Sequence, residues 1–409
     1  MLTREAVETR APAAEPPTPA AQRTVLLTGA QAAVEAMRQI DPDLVPVDPI
    51  TPQTPIIEAY AALQAQGRVT GEMVHVESEH SAMSAAVGAS LAGARAMTAT
   101  ASQGMALMVE VVYIAASLRA PVVMAVGNRA LSGPINIHGD HSDAMLARDS
   151  GVIQLFAESP QEVYDLMLCA PRLAEHPDVL LPCLVNQDGF TITHSAEPVD
   201  VLPDEAAAAF VGAYHPVMPL LDVARPYTHG AFAMPDSYFE VKLQGVEAMA
   251  RASAVWRDLA QAYRALSGRD LSALGAYRLD GAERVLVALG SVAGTAKEVV
   301  DELRARGEAV GLVKIRSFRP FPHAEARALL ADARHVGVLD RALAPGGLAP
   351  LFAEVAATLA GRSALSSFVG GLGGRDLGPV EIRALFAALE GEGGGLTPTY
   401  LGLERGGLR

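Results

Sequence analysis

The sequence predicts an α/β protein of two domains, each a parallel sheet covered by helices. Three observations carry this reading. The chain has 409 residues, more than one ordinary core organises. Half of them are hydrophobic and only 19% are charged, so there is a large interior to fill. Short apolar runs without polar alternation recur between helical stretches, which is the pattern of strands buried on both faces.

In the first unit, residues 24–247, strands are expected at Thr24–Thr28, Val74–Ser78, Met97–Ser102, Pro121–Asn128, Val152–Ala157 and Leu180–Asn186. Helices are expected between them at Ala30–Ile40, Gln53–Gln66, Glu79–Arg95, Gly104–Leu118 and Pro160–Ala174. Residues 214–238 look irregular, and Val241–Ser267 reads as a long connecting helix, with the linker region at 248–283. A second alternation fills 284–390: strands Val285–Leu289, Ala309–Ile315, His335–Asp340 and Ser367–Val369, with helices Thr295–Arg306, His323–Ala331 and Ala349–Leu359. Residues 1–23 are Pro/Ala-rich and lack an apolar signal core, so they read as a flexible extension rather than a secretory leader. The Gly-rich stretch 391–409 reads as a surface strap or mobile tail.

A net charge of −14 argues against nucleic-acid and anionic-membrane partners. The most apolar run, Gly104–Leu118, is broken by Glu110 and too short to span a bilayer. Cys169 and Cys183 are the only cysteines, with no C-x-x-C spacing, so the chain encodes no iron–sulfur cluster and no structural zinc. Their sparsity fits a cytoplasmic protein.

Four segments carry candidate chemistry. Asp48-Pro49-Ile50-Thr51-Pro52-Gln53-Thr54 is a stiff loop, placed where doubly wound sheets bind ligands. Thr51 is either a substrate-facing hydroxyl or, like Thr54, a helix cap. Glu79 opens a small-residue helix. It either complements the helix dipole or, raised by burial, shares a proton with a heterocyclic nitrogen. Glu77 competes for that role. Ser102-Gln103-Gly104 closes a strand in a narrow shelf that suits a flat ring or close strand-to-helix packing. Arg129 ends an apolar strand and either grips a carboxylate or pairs with Asp140, Asp143 or Asp149. His138-Gly139-Asp140-His141-Ser142-Asp143 lacks the i, i+4 spacing of a helical metal site and fits helix caps and Arg partners better. Neither Gly290-Ser291-Val292-Ala293-Gly294 nor the Gly370–Gly378 run fits a dinucleotide fingerprint. Arg316-Ser317-Phe318-Arg319-Pro320-Phe321-Pro322 reads as a rigid turn for subunit contact.

Taken together, and in order from about residue 24 to 390, these segments resemble the alpha subunit of the 2-oxoacid:ferredoxin oxidoreductase family, pyruvate:ferredoxin oxidoreductase in particular. The other matching segments are Arg148-Asp149-Ser150-Gly151, Asp188-Gly189-Phe190 and Thr193-His194. The resemblance implies a pyrimidine-binding-type domain of thiamine diphosphate enzymes followed by a transketolase-C-terminal-like domain. It implies oxidative decarboxylation of pyruvate with coenzyme A, the electrons passing to ferredoxin. Glu79 would meet the cofactor's pyrimidine nitrogen, with Pro49, Ile50, Ser102 and Gln103 beside the ring, while Thr51 and Arg129 would hold the substrate carboxylate. Asp48 stands where the family often has an aromatic residue, and Val152 where Trp is frequent. No Gly-Asp-Gly with its following Asn occurs, so the diphosphate end and Mg²⁺ fall to a beta subunit. [4Fe-4S] clusters fall to partner chains including gamma and ferredoxin-like delta subunits.

Overall fold

The computed structural model describes residues 20–391 and 395–404. The expected flexible extension lies outside them for residues 1–19, as do residues 392–394 and 405–409 of the tail. Residues 20–23 do not continue an extension: the Ala20 N–H donates to the Leu266 carbonyl at 2.8 Å, and Gln22 Nε2 to the Ser267 carbonyl at 2.9 Å.

The first part of the chain runs β1 (Arg23–Thr28), α1 (Gly29–Ile40), β2 (Leu44–Val47), α2 (Thr54–Ala65), β3 (Glu72–His75), α3 (Glu79–Ala92), β4 (Ala96–Thr100), α4 (Ser102–Leu118) and β5 (Val122–Asn128). It continues with α5 (Ser142–Leu146), β6 (Ile153–Phe156), α6 (Pro160–Ala174), β7 (Cys183–Asp188), β8 (Ala196–Val201), α7 (Asp204–Val211) and the long α8 (Tyr238–Ser267). The second part holds β9 (Leu274–Tyr277), β10 (Arg284–Leu289), α9 (Val292–Ala305), β11 (Val310–Ile315), β12 (Ser317–Arg319), α10 (His323–Leu329), β13 (His335–Asp340), α11 (Pro350–Leu359), β14 (Ala364–Val369), α12 (Pro379–Ala388) and β15 (Gly395–Tyr400).

Seven strands form the first sheet in the order β12-β6-β7-β5-β4-β2-β3, parallel except for β12 against β6. Both faces of this sheet are covered, and its central strand β5 is accordingly apolar on both faces up to Asn128. In β5, Val123 and Ala125 join the core beneath α1, α2 and α6, while Val122, Met124 and Val126 join the core beneath α3 and α4. The second sheet has the order β15-β14-β13-β10-β11-β9, parallel except for β9 against β11. The split repeats in β10: Val285, Val287 and Leu289 face α10 and α11, whereas Leu286 and Ala288 face α9 and α12.

Several expectations are corrected. Thr24–Thr28 is a strand but not part of the parallel layer; it pairs antiparallel with β8 in a separate ribbon and leaves Leu26 exposed. The missed strand β2 contains Pro46, which has no N–H to give a ladder. Its carbonyl instead accepts the fully buried Thr98 hydroxyl at 2.7 Å. Helix α8 runs through residue 248, as the expected connecting helix does, whereas within the expected tail β15 adds an edge strand to the second sheet. Arg316–Pro322, expected to serve subunit contact, also makes a seam within the chain. There β12 extends the first sheet, Phe318 is fully buried, and Arg316 and Lys314 clasp Glu162 of α6.

A buried carboxylate in the second sheet gives a pH-dependent stability. Burial pushes Asp340 up to about 7, against the N–H groups of Leu351 and Phe352 that it accepts at the start of α11. A carboxyl raised on folding stabilises fully below its ordinary pKa, and this contribution is lost as pH climbs through about 7. Urea unfolding of the isolated chain should therefore lose about 2–3 kcal/mol more between pH 5 and 8 than unfolding of Asp340→Asn, counting 1.4 kcal/mol per unit. Equal losses in the two proteins would show that Asp340 ionises freely.

Candidate functional site

The candidate residues sit at the carboxyl ends of four neighbouring strands, β3, β2, β4 and β5, the edge where open α/β sheets bind ligands. The loop after β2 is seated by its neighbours. A Cβ on Gly189 would stand 2.3 Å from the Asn128 carbonyl oxygen and 3.0 Å from Pro52 Cγ, so glycine at this position lets the loop settle there. The Thr51–Pro52 peptide is cis. Gln53, fully buried, donates to the Ala99 carbonyl at 2.9 Å and accepts the Ile50 N–H at 3.3 Å, locking the loop to β4. Pro49 and Thr51 are left exposed at its crest.

Arg129 meets this loop directly. Its Nη1 donates to the Thr51 carbonyl at 3.0 Å and its Nε to the Asn136 carbonyl at 2.8 Å. None of the expected partners Asp140, Asp143 and Asp149 forms an ion pair with it, and no other carboxylate among the described residues does. Two neutral carbonyls thus hold the guanidinium in place and leave its charge uncompensated, ready for an anion.

Glu79 begins α3 behind Ser78, whose hydroxyl accepts the Ser81 N–H at 3.2 Å. Burial raises its proton affinity, its own backbone N–H opposes that, and the neighbouring Asp48 carboxyl raises it further. Glu77 differs: it is exposed, and the Ser81 hydroxyl, 2.5 Å away, holds its pKa below the usual range. Of the two competing acids, Glu79 therefore has the proton-holding environment. Gly104 in the first turn of α4 makes room for it, since a Cβ there would stand 2.7 Å from Glu79 Oε1 and collide with the Thr100 hydroxyl. That hydroxyl is buried and has no hydrogen-bond partner among the described residues.

Ser102 and Gln103 occupy the first turn of α4, next to Gly104. Ser102 has φ +47°, an uncommon conformation for a residue with a side chain, and its hydroxyl donates to the Ala130 carbonyl at 2.5 Å. The Gln103 side-chain oxygen lies 2.6 Å from the same hydroxyl. The structure thus gathers all seven candidates, Pro49, Ile50, Thr51, Glu79, Ser102, Gln103 and Arg129, along one sheet edge.

Two contributors were not singled out from the sequence. Asp48 opens the stiff loop and departs from the family pattern, and its carboxyl interacts with Glu79. Asp143, which the sequence offers as an ion-pair partner or as part of a polar loop, is a buried acceptor for backbone groups of both Ser102 and Arg129. Burial pushes its carboxyl up to about 6, opposed by those N–H donors and Asn128. Among the described residues no group of three or more His, Cys, Asp or Glu side chains is placed to hold a metal ion, the segment from His138 to Asp143 included. His141 contacts Asp188 at 2.6 Å, and Asp188 is gripped by Arg341 and Ser291, which follow β13 and β10 of the second sheet. Burial alone would raise Asp188, but Arg341 and His141 outweigh it and hold its carboxyl well below the usual range. A cavity of about 520 Å³ lies elsewhere, lined by Trp256, Arg264, Leu274 and Pro320, and touches none of the seven candidates.

Residues 35–261 match the family model described as pyruvate flavodoxin/ferredoxin oxidoreductase, thiamine diphosphate-binding. Residues 282–382 match pyruvate:ferredoxin oxidoreductase core domain II. The chain belongs to the pyruvate flavodoxin/ferredoxin oxidoreductase family. Within this family it is 54% identical over 383 residues to pyruvate synthase subunit PorA of Thermotoga maritima, covering 93% of this chain and 98% of that one. It is 45% identical over 370 residues to the subunit of the same name from Methanocaldococcus jannaschii, covering 89% and 94%. A solved structure of 2-oxoglutarate:ferredoxin oxidoreductase from Magnetococcus marinus shares the fold, with a TM-score of 0.68 at 19% identity. That likeness covers 88% of this chain and 64% of the other.

The edge fits the pyrimidine end of thiamine diphosphate. An unpartnered buried hydroxyl, a carboxyl of raised proton affinity and a glycine-walled shelf are what a flat heterocycle with a basic ring nitrogen requires.

Proposed function

We propose that this chain is the alpha subunit of a pyruvate:ferredoxin oxidoreductase, which converts pyruvate and coenzyme A to acetyl-CoA and CO₂ and passes two electrons to ferredoxin. The observation that carries the reading is the juxtaposition of an uncompensated Arg129 held on the Thr51 loop with a half-buried Glu79 whose proton affinity burial raises. When bound, thiamine diphosphate supplies the nucleophilic carbon and the electron sink for decarboxylation. This chain's own residues then have defined tasks. Glu79 holds a proton against the pyrimidine ring nitrogen, and Pro49, Ile50, Ser102 and Gln103 wall the ring. Arg129 takes the substrate carboxylate through a charge-assisted contact, and Thr51, whose hydroxyl has no partner among the described residues, faces the same group.

The diphosphate, its Mg²⁺ and the [4Fe-4S] clusters belong on this reading to a beta subunit and to gamma and ferredoxin-like delta subunits. An exposed apolar band supports assembly. Leu221, Val223, Phe232, Phe239 and Val246 are 74, 93, 90, 75 and 65% exposed along the segment leading into α8 and its N-terminal part, a concentration expected of a buried interface. Hydrogen exchange across residues 217–246 should slow at least tenfold when the chain enters its complex; unchanged exchange would place the partners elsewhere. No helix among the described residues is long and apolar enough to cross a membrane. The free, buried Cys169 and Cys183 suit a cytoplasmic setting.

The test is purification of the native complex, followed by cofactor and metal analysis and assay with three 2-oxoacids. Bound thiamine diphosphate, iron and ferredoxin reduction that prefers pyruvate are expected. Preference for 2-oxoglutarate or a branched-chain 2-oxoacid would move the substrate, and a cofactor-free, inactive assembly would make the chain a scaffold.

A further inference from the structure

Helix α4 starts without a cap of its own, because its N-cap residue is Ala101. The missing acceptor comes from a distant part of the chain. Asp143 Oδ2 accepts the Ser102 N–H and the Arg129 N–H, each at 2.9 Å, and Oδ1 accepts Asn128 Nδ2 at 2.9 Å and the Ala144 N–H at 2.7 Å. The residue is fully buried, so no water substitutes for these four contacts. Each oxygen serves two donors, a task an amide cannot repeat in either orientation because its NH₂ would face two N–H groups.

The segment that delivers Asp143 is anchored by the loops that follow β13 and β14 of the second sheet. The His141 N–H donates to the Arg341 carbonyl at 2.8 Å, Asp140 Oδ2 accepts the Gly373 N–H at 3.2 Å, and Asn136 Nδ2 donates to the Gly373 carbonyl at 3.0 Å. Asn136 is also the residue whose carbonyl holds Arg129 Nε.

We propose that Asp143 is a positioning residue for the 2-oxoacid. One carboxylate oxygen fixes the Arg129 backbone and the strained start of α4 to each other, so the substrate cation and the cofactor shelf keep one geometry set from the second domain. The inference rests on the reading of Arg129 and Ser102 given above. It adds a residue that touches neither ligand and acts through both.

The test is Asp143→Asn in the assembled complex, read in two ways. Steady-state kinetics should show KM for pyruvate rising at least tenfold, with KM for coenzyme A within twofold of the parent. Hydrogen-exchange mass spectrometry should show the Ser102 and Arg129 amides exchanging at least tenfold faster together, while amides in the middle of α4 keep parental rates. A gentler variant, Asn128→Ser, removes one donor and leaves the carboxylate; its pyruvate KM should rise two- to fivefold, and it decides the matter if Asp143→Asn does not assemble. Unchanged pyruvate KM in a folded variant, or equal losses for both substrates, overturns the proposal. The parent's own activity reports separately on the function: a parent inactive on every 2-oxoacid fails that reading, whereas coupled exchange of the two amides still reports on Asp143.

Discussion

Replacing Glu79 by Ala should lower pyruvate-dependent ferredoxin reduction by about 10³-fold, the middle of the range for losing a positioned acid–base group. The complex should still assemble. Glu79 lies half-buried beneath Asp48 and beside Gly104, with no ion pair to lose among the described residues, so truncation removes a proton site rather than a structural tie. Glu79→Gln keeps the shape and loses the proton; it should fall as far as the alanine variant. Size-exclusion profiles and single-turnover rates on both variants check this, and turnover within tenfold of the parent would remove Glu79 from the chemistry.

Arg129→Ala should raise KM for pyruvate on the order of 10²-fold and change kcat far less. The estimate follows from the 2–5 kcal/mol typical of truncating one partner of a buried charge contact. Arg129→Lys should recover only part of the loss. An ammonium keeps the charge, but it cannot donate to the Thr51 and Asn136 carbonyls and still present a planar fork to a carboxylate. Initial-rate kinetics over a wide pyruvate range measures both effects, and an unchanged kcat/KM would move the substrate carboxylate elsewhere.

The parts of the fold that depend on local pattern were legible in the sequence. β5 and β10 are apolar on both faces, and such runs read as interior parallel strands before any neighbour is known. Pieces set by tertiary context were not legible. β2 hides behind Pro46, β12 is three residues long and gains its place only from β6, and β1 is apolar enough for a core strand yet pairs in a side ribbon. The site divides the same way. Thr51, Glu79 and Arg129 stand at strand-to-helix and strand-to-loop junctions, where side chains of that chemistry draw notice. Asp143 works through backbone N–H groups, and nothing in a sequence marks which amides a distant carboxylate will accept. Arg129 shows a further limit: three nearby acids made an ion pair a fair expectation, and the fold gave it two carbonyls instead.

The most direct measurement is calorimetric titration of thiamine diphosphate and Mg²⁺ into the isolated chain and into the assembled complex. The account predicts no saturable binding to the chain alone and one equivalent per chain in the complex, because the residues here meet only one end of the cofactor. Tight binding and pyruvate turnover by the isolated chain would contradict it.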